Sequence, residues 1–201
     1  IELLAGLVKE DLIAKNSSAG YAQKILDEIG GLKSLITAYL NFSRPAPANP
    51  EALNVAKIIS EVRDLFETQL SEKKAIFSQN GQETTILFDR SHLRQILINL
   101  VANSLEMLGD GGNIHIETQQ NGKYAEVTIS DNGPGIPSEN LDAIFEPFFT
   151  TRTNGTGLGL AICKKLCQEN EAFITAENNV LNGCTFFIKN LRYKKETKVV
   201  S

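Results

Sequence analysis

"NIHIETQQNGKYAEVTISD", Asn113 to Asp131, holds two runs in which apolar and polar residues alternate, joined by Asn-Gly-Lys. Alternation at a period of two predicts a pair of strands, and the Asn-Gly turn predicts that they form a hairpin. Upstream stands "RQILINLVANSLEML", in which Leu93, Ile96, Leu97, Leu100, Val101 and Ser104 recur at helical spacing on one face. Asp89 or Ser91 is the candidate cap of this helix, and "GDGGN" ends it. Downstream, "GTGLGLAI" leads from glycines into a helix with Leu158, Ile162 and Leu166 at four-residue spacing, and "AFITAEN" and "CTFFIKN" close the chain as a second hairpin. Nearer the N-terminus, "VAKIISEVRDLFETQL" predicts one amphipathic helix with Ile58, Val62, Leu65 and Phe66 inward, and short strands follow around residues 75–78 and 85–88. The order predicts an α+β fold: a two-layer sandwich, helices on one face of a largely antiparallel sheet.

The chain has 201 residues, of which 42% are hydrophobic and 22% charged, enough to bury a sizeable core. A formal net charge of -4 argues against a nucleic-acid surface, which would need a basic patch. Cys163, Cys167 and Cys184 are odd in number and sit in apolar patterns, so buried thiols are expected rather than disulfides. No apolar run has the ~20 residues of a membrane span, and a cytoplasmic location with no membrane contact is expected.

Proline-rich "SRPAPANPEALN" predicts a linker, taken as residues 45–54, between a helical segment at 1–44 and a domain at 55–191 with a polar tail at 192–201. In the helical segment Ile25, Ile29, Leu32, Ile36 and Tyr39 follow a four-three spacing, the seam of a packed helix. Residues 1 to about 14 would form an antiparallel arm, and two such hairpins would make a four-helix bundle, hence a homodimer.

Candidate site residues fall in four places. Asn99, Asn103 and Glu106 share a helix face apart from the apolar one; two stacked amides are either solvated or hold a magnesium ion through hard oxygen donors. Asp131 ends its strand, where its carboxylate can accept from an exocyclic amine, and Gly133 and Gly135 would let a flat ring approach the backbone; the bland reading is a turn. Phe145, Phe148 and Phe149 are either core or the anchor of a lid that carries Arg152 towards a phosphate. Gly155, Gly157 and Gly159 open the final helix, whose unpaired amides suit an anion.

Together "NLVANSLEM", "DNGPGIP", "FEPFFTTR" and "GTGLGLAI" resemble the N box, first glycine box, F box and second glycine box of the GHKL ATPases, and specifically the catalytic core of sensor histidine kinases. The resemblance implies a Bergerat-type ATP-binding fold preceded by part of a dimerisation hairpin. It implies Mg2+ on Asn103, Asn99 on the phosphate side, Asp131 as the adenine-recognising carboxylate, and catalytic roles for Asn99, Asn103 and Arg152. Phe145, Phe148, Thr151, Thr156 and Leu158 join the glycines in the implied nucleotide-binding set. ATP is the implied substrate, and transfer runs to a histidine and then to the aspartate of a response-regulator receiver domain.

Hydrolytic members of the superfamily carry a glutamate where this chain has Asn99, which cannot act as a base near neutral pH, so transfer is favoured over hydrolysis. The family's acceptor histidine, followed at once by an acidic residue, has no counterpart: His92 begins a helix and His115 lies in a strand. The expectation is a fragment starting downstream of the acceptor; a non-catalytic ATP-binding dimerisation module is the alternative.

Overall fold

The computed structural model describes residues 7, 18–43, 47–152, 155–180 and 182–193. The chain divides between Pro45 and Ala46 into two compact units. The first contains α1 (Ser18–Ser43), along which Leu26, Ile29, Leu32, Ile36, Tyr39 and Leu40 form an exposed apolar stripe. Apart from Leu7, the expected antiparallel arm lies outside the described residues.

The second unit runs β1 (Glu51–Asn54), α2 (Val55–Leu65), α3 (Glu67–Glu72), β2 (Ile76–Gly81), β3 (Thr85–Phe88), α4 (Arg90–Met107), β4 (Asn113–Asn121) and β5 (Tyr124–Asp131). A 3-10 turn at Ser138–Asn140 precedes α5 (Gly159–Glu169), β6 (Phe173–Asn178) and β7 (Cys184–Arg192). The main sheet has the order β2-β4-β5-β7-β6, with β2 parallel to β4 and the other pairs antiparallel. β4 and β5 pair from Ile114 with Asp131 to Asn121 with Tyr124, the hairpin expected from their alternation.

Two local features differ from the sequence expectation. Residues 51–54, read as the end of a linker, form β1 and pair antiparallel with β3. The helix expected over "VAKIISEVRDLFETQL" is broken at Phe66, whose φ of -102° leaves the helical range and whose N–H bonds to Arg63 O instead of continuing the ladder. The break swings Leu65 outward, 51% exposed rather than inward, while Phe66 packs on the core.

The core lies between the sheet and α2, α4 and α5. Leu93, Ile96, Leu97, Leu100 and Val101 of α4 are fully buried, each stabilising the fold by about 1.5–3 kcal/mol relative to exposure. They meet Ile114 and Ile116 of β4 and Val127 and Ile129 of β5, also fully buried. Asp131 has the same parity as Val127 and Ile129, so the alternation that builds the core also carries a carboxylate into the sheet–helix layer at the strand's end.

Asp89 caps α4, accepting from the His92 N–H at 3.0 Å and the Ser91 hydroxyl at 2.6 Å, and it also receives the Asn49 N–H at 2.8 Å. Burial alone would push this carboxyl up, but the hydrogen bonds from Ser91, Asn49 and His92 outweigh it and hold the pKa at about 2. The folded value lies below the ordinary 3.8, so the stabilisation is complete above that value and is lost as pH falls from about 4 to about 2. Asp89→Asn is expected to cost about 2 kcal/mol at pH 7. Urea unfolding should show its difference from wild type shrinking at pH 3; a constant difference would contradict the linkage.

Candidate functional site

A cavity of about 520 Å3 opens between α4, the end of β5, the loop after it, and the start of α5. Its volume is in the range of a small-molecule site. In its lining Asp131 is 6% exposed, and each of its oxygens is held. Oδ2 accepts from Ser104 Oγ at 2.9 Å, and Oδ1 accepts the backbone N–H groups of Gly133 at 3.0 Å and Cys184 at 3.2 Å. Ser104 can reach it because it continues the core face of α4 by one turn beyond Leu100. The result is a fixed acceptor facing a partly apolar hollow that Ile144 and Phe186 also line.

Asn103 and Glu106 of α4 also line the cavity, with the first residues of α5. Arg152 reaches across from the connecting loop: Nη1 donates to Asn103 Oδ1 at 3.3 Å and pairs with the Glu106 carboxylate, and Nη2 donates to Asn103 O at 3.4 Å. No side chain caps α5, so its first amides are available to an anion, and Gly159 and Leu160 border the cavity. The cavity wall thus combines a held carboxylate, the side-chain oxygens of Asn103 and Glu106, the Arg152 guanidinium and an uncapped helix N-terminus.

The loop that carries Arg152 is closed at its base. Phe148 N–H donates to Gly157 O at 2.9 Å, and both residues have positive φ, 66° and 65°. A Cβ on Gly157 would stand 2.4 Å from the Phe148 carbonyl carbon, so only glycine fits there.

Of the residues singled out from the sequence, Asn103, Asp131, Gly135, Thr151, Arg152, Gly155, Thr156, Gly157 and Gly159 line the cavity. Asn99, Gly133, Phe145, Phe148 and Leu158 lie outside its lining. Asn99 turns to α5, donating to Gly159 O at 3.1 Å and receiving Gln95 Nε2 at 3.1 Å, and so ties the two helices together. Gly133 acts through its N–H on Asp131. Phe145 packs edge-on against Phe186 with ring centroids 6.5 Å apart, Leu158 is fully buried beneath the glycines, and Phe148 is 59% exposed.

Several contributors escape a reading of motifs. Ser104 reads as a core position, and Cys184 and Phe186 read only as strand residues, yet all three line the cavity. The thiol of Cys184 is pushed up to about 12 by burial and by the neighbouring charges of Asp131 and Glu177; burial likewise pushes Cys163 to about 12 and raises Cys167. Asn179 donates to Asp131 O at 2.9 Å from the β6–β7 turn, a contact with no local signature.

The sheet–helix sandwich with this cavity at the end of β5 and the start of α5 is the setting in which likeness to known proteins places the chain. Residues 88–195 match the family described as histidine kinase-, DNA gyrase B- and HSP90-like ATPase, and the chain belongs to that family. Sporulation kinase A of Bacillus subtilis (strain 168) is 32% identical over 84% of this chain and 28% of its own length. The catalytic domain of the histidine kinase ThkA superposes with a TM-score of 0.68 at 35% identity, covering 72% of this chain and 96% of that one. ThkA in complex with the response regulator protein TrrA covers 94% of this chain and 57% of that one, with a TM-score of 0.78 at 28% identity. The chain spans less than half the length of the curated relatives it matches. Among the described residues no helix is long and apolar enough to cross a membrane.

Proposed function

We propose that this chain is the catalytic core of a sensor histidine kinase, which binds magnesium ATP in the cavity and transfers the terminal phosphoryl to a histidine. The observation that carries the reading is one cavity lined by a held Asp131 carboxylate, by Asn103 and by the uncapped α5 terminus. Asp131 accepts from the exocyclic amine of adenine, the glycine-loop and α5 amides receive the phosphates, and Arg152 moves from Glu106 to the terminal phosphate. An imidazole nitrogen then forms a bond to the γ-phosphorus as the bond to the β–γ bridging oxygen breaks, and ADP leaves with the electron pair.

The donor set suits magnesium. Asn103 Oδ1 and the Glu106 carboxylate, one turn apart, are hard oxygen donors beside the phosphate end. Bound there, the ion would offset charge on the phosphates.

Neither histidine present suits the acceptor role. His92 is buried with its Nδ1 2.9 Å from Asn170 Nδ2, and the His115 Nδ1 lies 2.8 Å from Ser78 Oγ on the sheet. The acceptor therefore belongs to another segment or chain, and the phosphoryl passes from it to a receiver-domain aspartate, as the ThkA–TrrA complex suggests by likeness. The exposed stripe of α1 supports a homodimer, and a cytoplasmic location goes with the reading. The helical segment at 1–44 is the proposed dimerisation element, and the ATP-binding domain, expected from the sequence at 55–191, takes in β1 from Glu51 and β7 through Arg192.

Titration calorimetry with a non-hydrolysable ATP analogue, with and without magnesium, tests the site. Wild type is expected to bind more tightly with the metal, and Asn103→Ala to lose most of that increment, at least about tenfold, while keeping the metal-free affinity. An unaltered magnesium dependence in the variant would sink the metal assignment. Steady phosphate release without any acceptor protein would favour hydrolysis instead.

A further inference from the structure

The loop "NGPGIP", residues 132–137, forms the cavity wall next to Asp131 through Gly135, Ile136 and Pro137. Pro134 and Pro137 have no N–H, so the loop has few groups with which to hold itself. Its first residue is tied to β4: Asn132 N–H donates to Asn113 O at 3.3 Å, and Asn132 Oδ1 accepts the Asn113 N–H at 2.7 Å. The middle is held from the other side of the sheet. Asn178, the last residue of β6, uses both ends of its side-chain amide on Ile136: Nδ2 donates to Ile136 O at 2.7 Å, and Oδ1 accepts the Ile136 N–H at 2.8 Å. One planar amide thereby takes the place of a neighbouring strand.

We infer that Asn178 is a positioning residue for base recognition: by holding Ile136 at both backbone groups, it fixes the wall against which the purine lies and so sets adenine affinity and selectivity. The inference rests on the nucleotide reading above. Asn178 does not line the cavity and acts through Ile136. Its effect on selectivity follows from Asp131. Adenine offers the carboxylate an N–H donor, whereas guanine offers a carbonyl oxygen that the carboxylate repels, and the contrast is sharp only while the ring is held in one plane and at one depth. A loosened wall lets the ring tilt, which weakens the favourable contact and relieves the unfavourable one.

The test uses the whole 201-residue chain and two metal-free ligands, ADP and GDP, each displacing a fluorescent ADP analogue. Asn178→Ala is expected to raise the ADP dissociation constant about tenfold, through the loss of a fixed wall rather than of a ligand contact, and to narrow the ADP-over-GDP preference by a similar factor. Hydrogen exchange should speed up at the Ile136 amide but not at the core amides of β5. Asn178→Asp keeps the acceptor for the Ile136 N–H while setting an oxygen against the Ile136 carbonyl. It is expected to shift affinity and preference the same way, and it serves if the alanine variant folds poorly. Unchanged ADP affinity alongside faster Ile136 exchange overturns the inference, as does an equal loss for ADP and GDP with the preference intact. Wild type that binds no ADP removes the nucleotide reading itself, a result distinct from either.

Discussion

Asp131→Ala is expected to weaken adenine-nucleotide binding by more than about a hundredfold, some 2.7 kcal/mol or more at 25 °C. Two losses combine. The acceptor for the exocyclic amine disappears, and three donors that now converge on the carboxylate, Ser104 Oγ and the N–H groups of Gly133 and Cys184, are left without it in a buried place. Asp131→Asn separates these effects, because it keeps shape and one acceptor oxygen but turns the other position into a donor. Direct titration with ADP in the absence of magnesium is the measurement. Affinity within threefold of wild type for the alanine variant would place the base elsewhere.

The second large effect is expected at a residue that touches no ligand. Gly183→Ala should abolish measurable nucleotide binding and lower stability by about 3 kcal/mol. A Cβ at this position would stand 1.9 Å from the Asp131 carbonyl oxygen and 2.8 Å from the Asn132 Cα, both backbone atoms that no side-chain rotation can move aside. The strand end that presents the carboxylate must therefore shift. For a domain of this size such a loss lowers the thermal midpoint by roughly 10 °C. Calorimetric melting together with ADP titration distinguishes a displaced site from an unfolded chain; a variant that melts and binds like wild type would refute the close approach.

Elements with strong local signals were legible in the sequence. The β4–β5 hairpin could be read from its alternation and turn, and the buried face of α4 from Leu93, Ile96, Leu97, Leu100 and Val101. In both, burial follows a period that neighbouring residues alone display. β1 was not legible, because its partner β3 is distant in sequence and its residues adjoin prolines. Nor was the break at Phe66, where an apolar periodicity continues across a backbone that does not.

The site divides along the same line. Asp131 and Asn103 stand in recognisable motifs and face the cavity, whereas Asn99 shares the Asn103 helix face yet bonds to the α5 backbone, an outcome set by where α5 packs. Asn178, Asn179 and Gly183 act on the Asp131 loop from a turn 40 or more residues away, as the separations of the Asn178–Ile136 and Asn179–Asp131 bonds record. Contacts over such a span leave no periodic trace.

The stitch between Phe148 and Gly157 also bears on evolution and engineering. With Phe148 and Gly157 fastened to each other, the segment between them leaves and returns at one place in the fold, so its length can change without moving either end. Doubling such a segment adds only about 0.6 kcal/mol of closure entropy. Inserted residues near Thr151 are therefore a tolerable way to vary how the covering segment reaches over its cargo, while the hinge geometry stays the same.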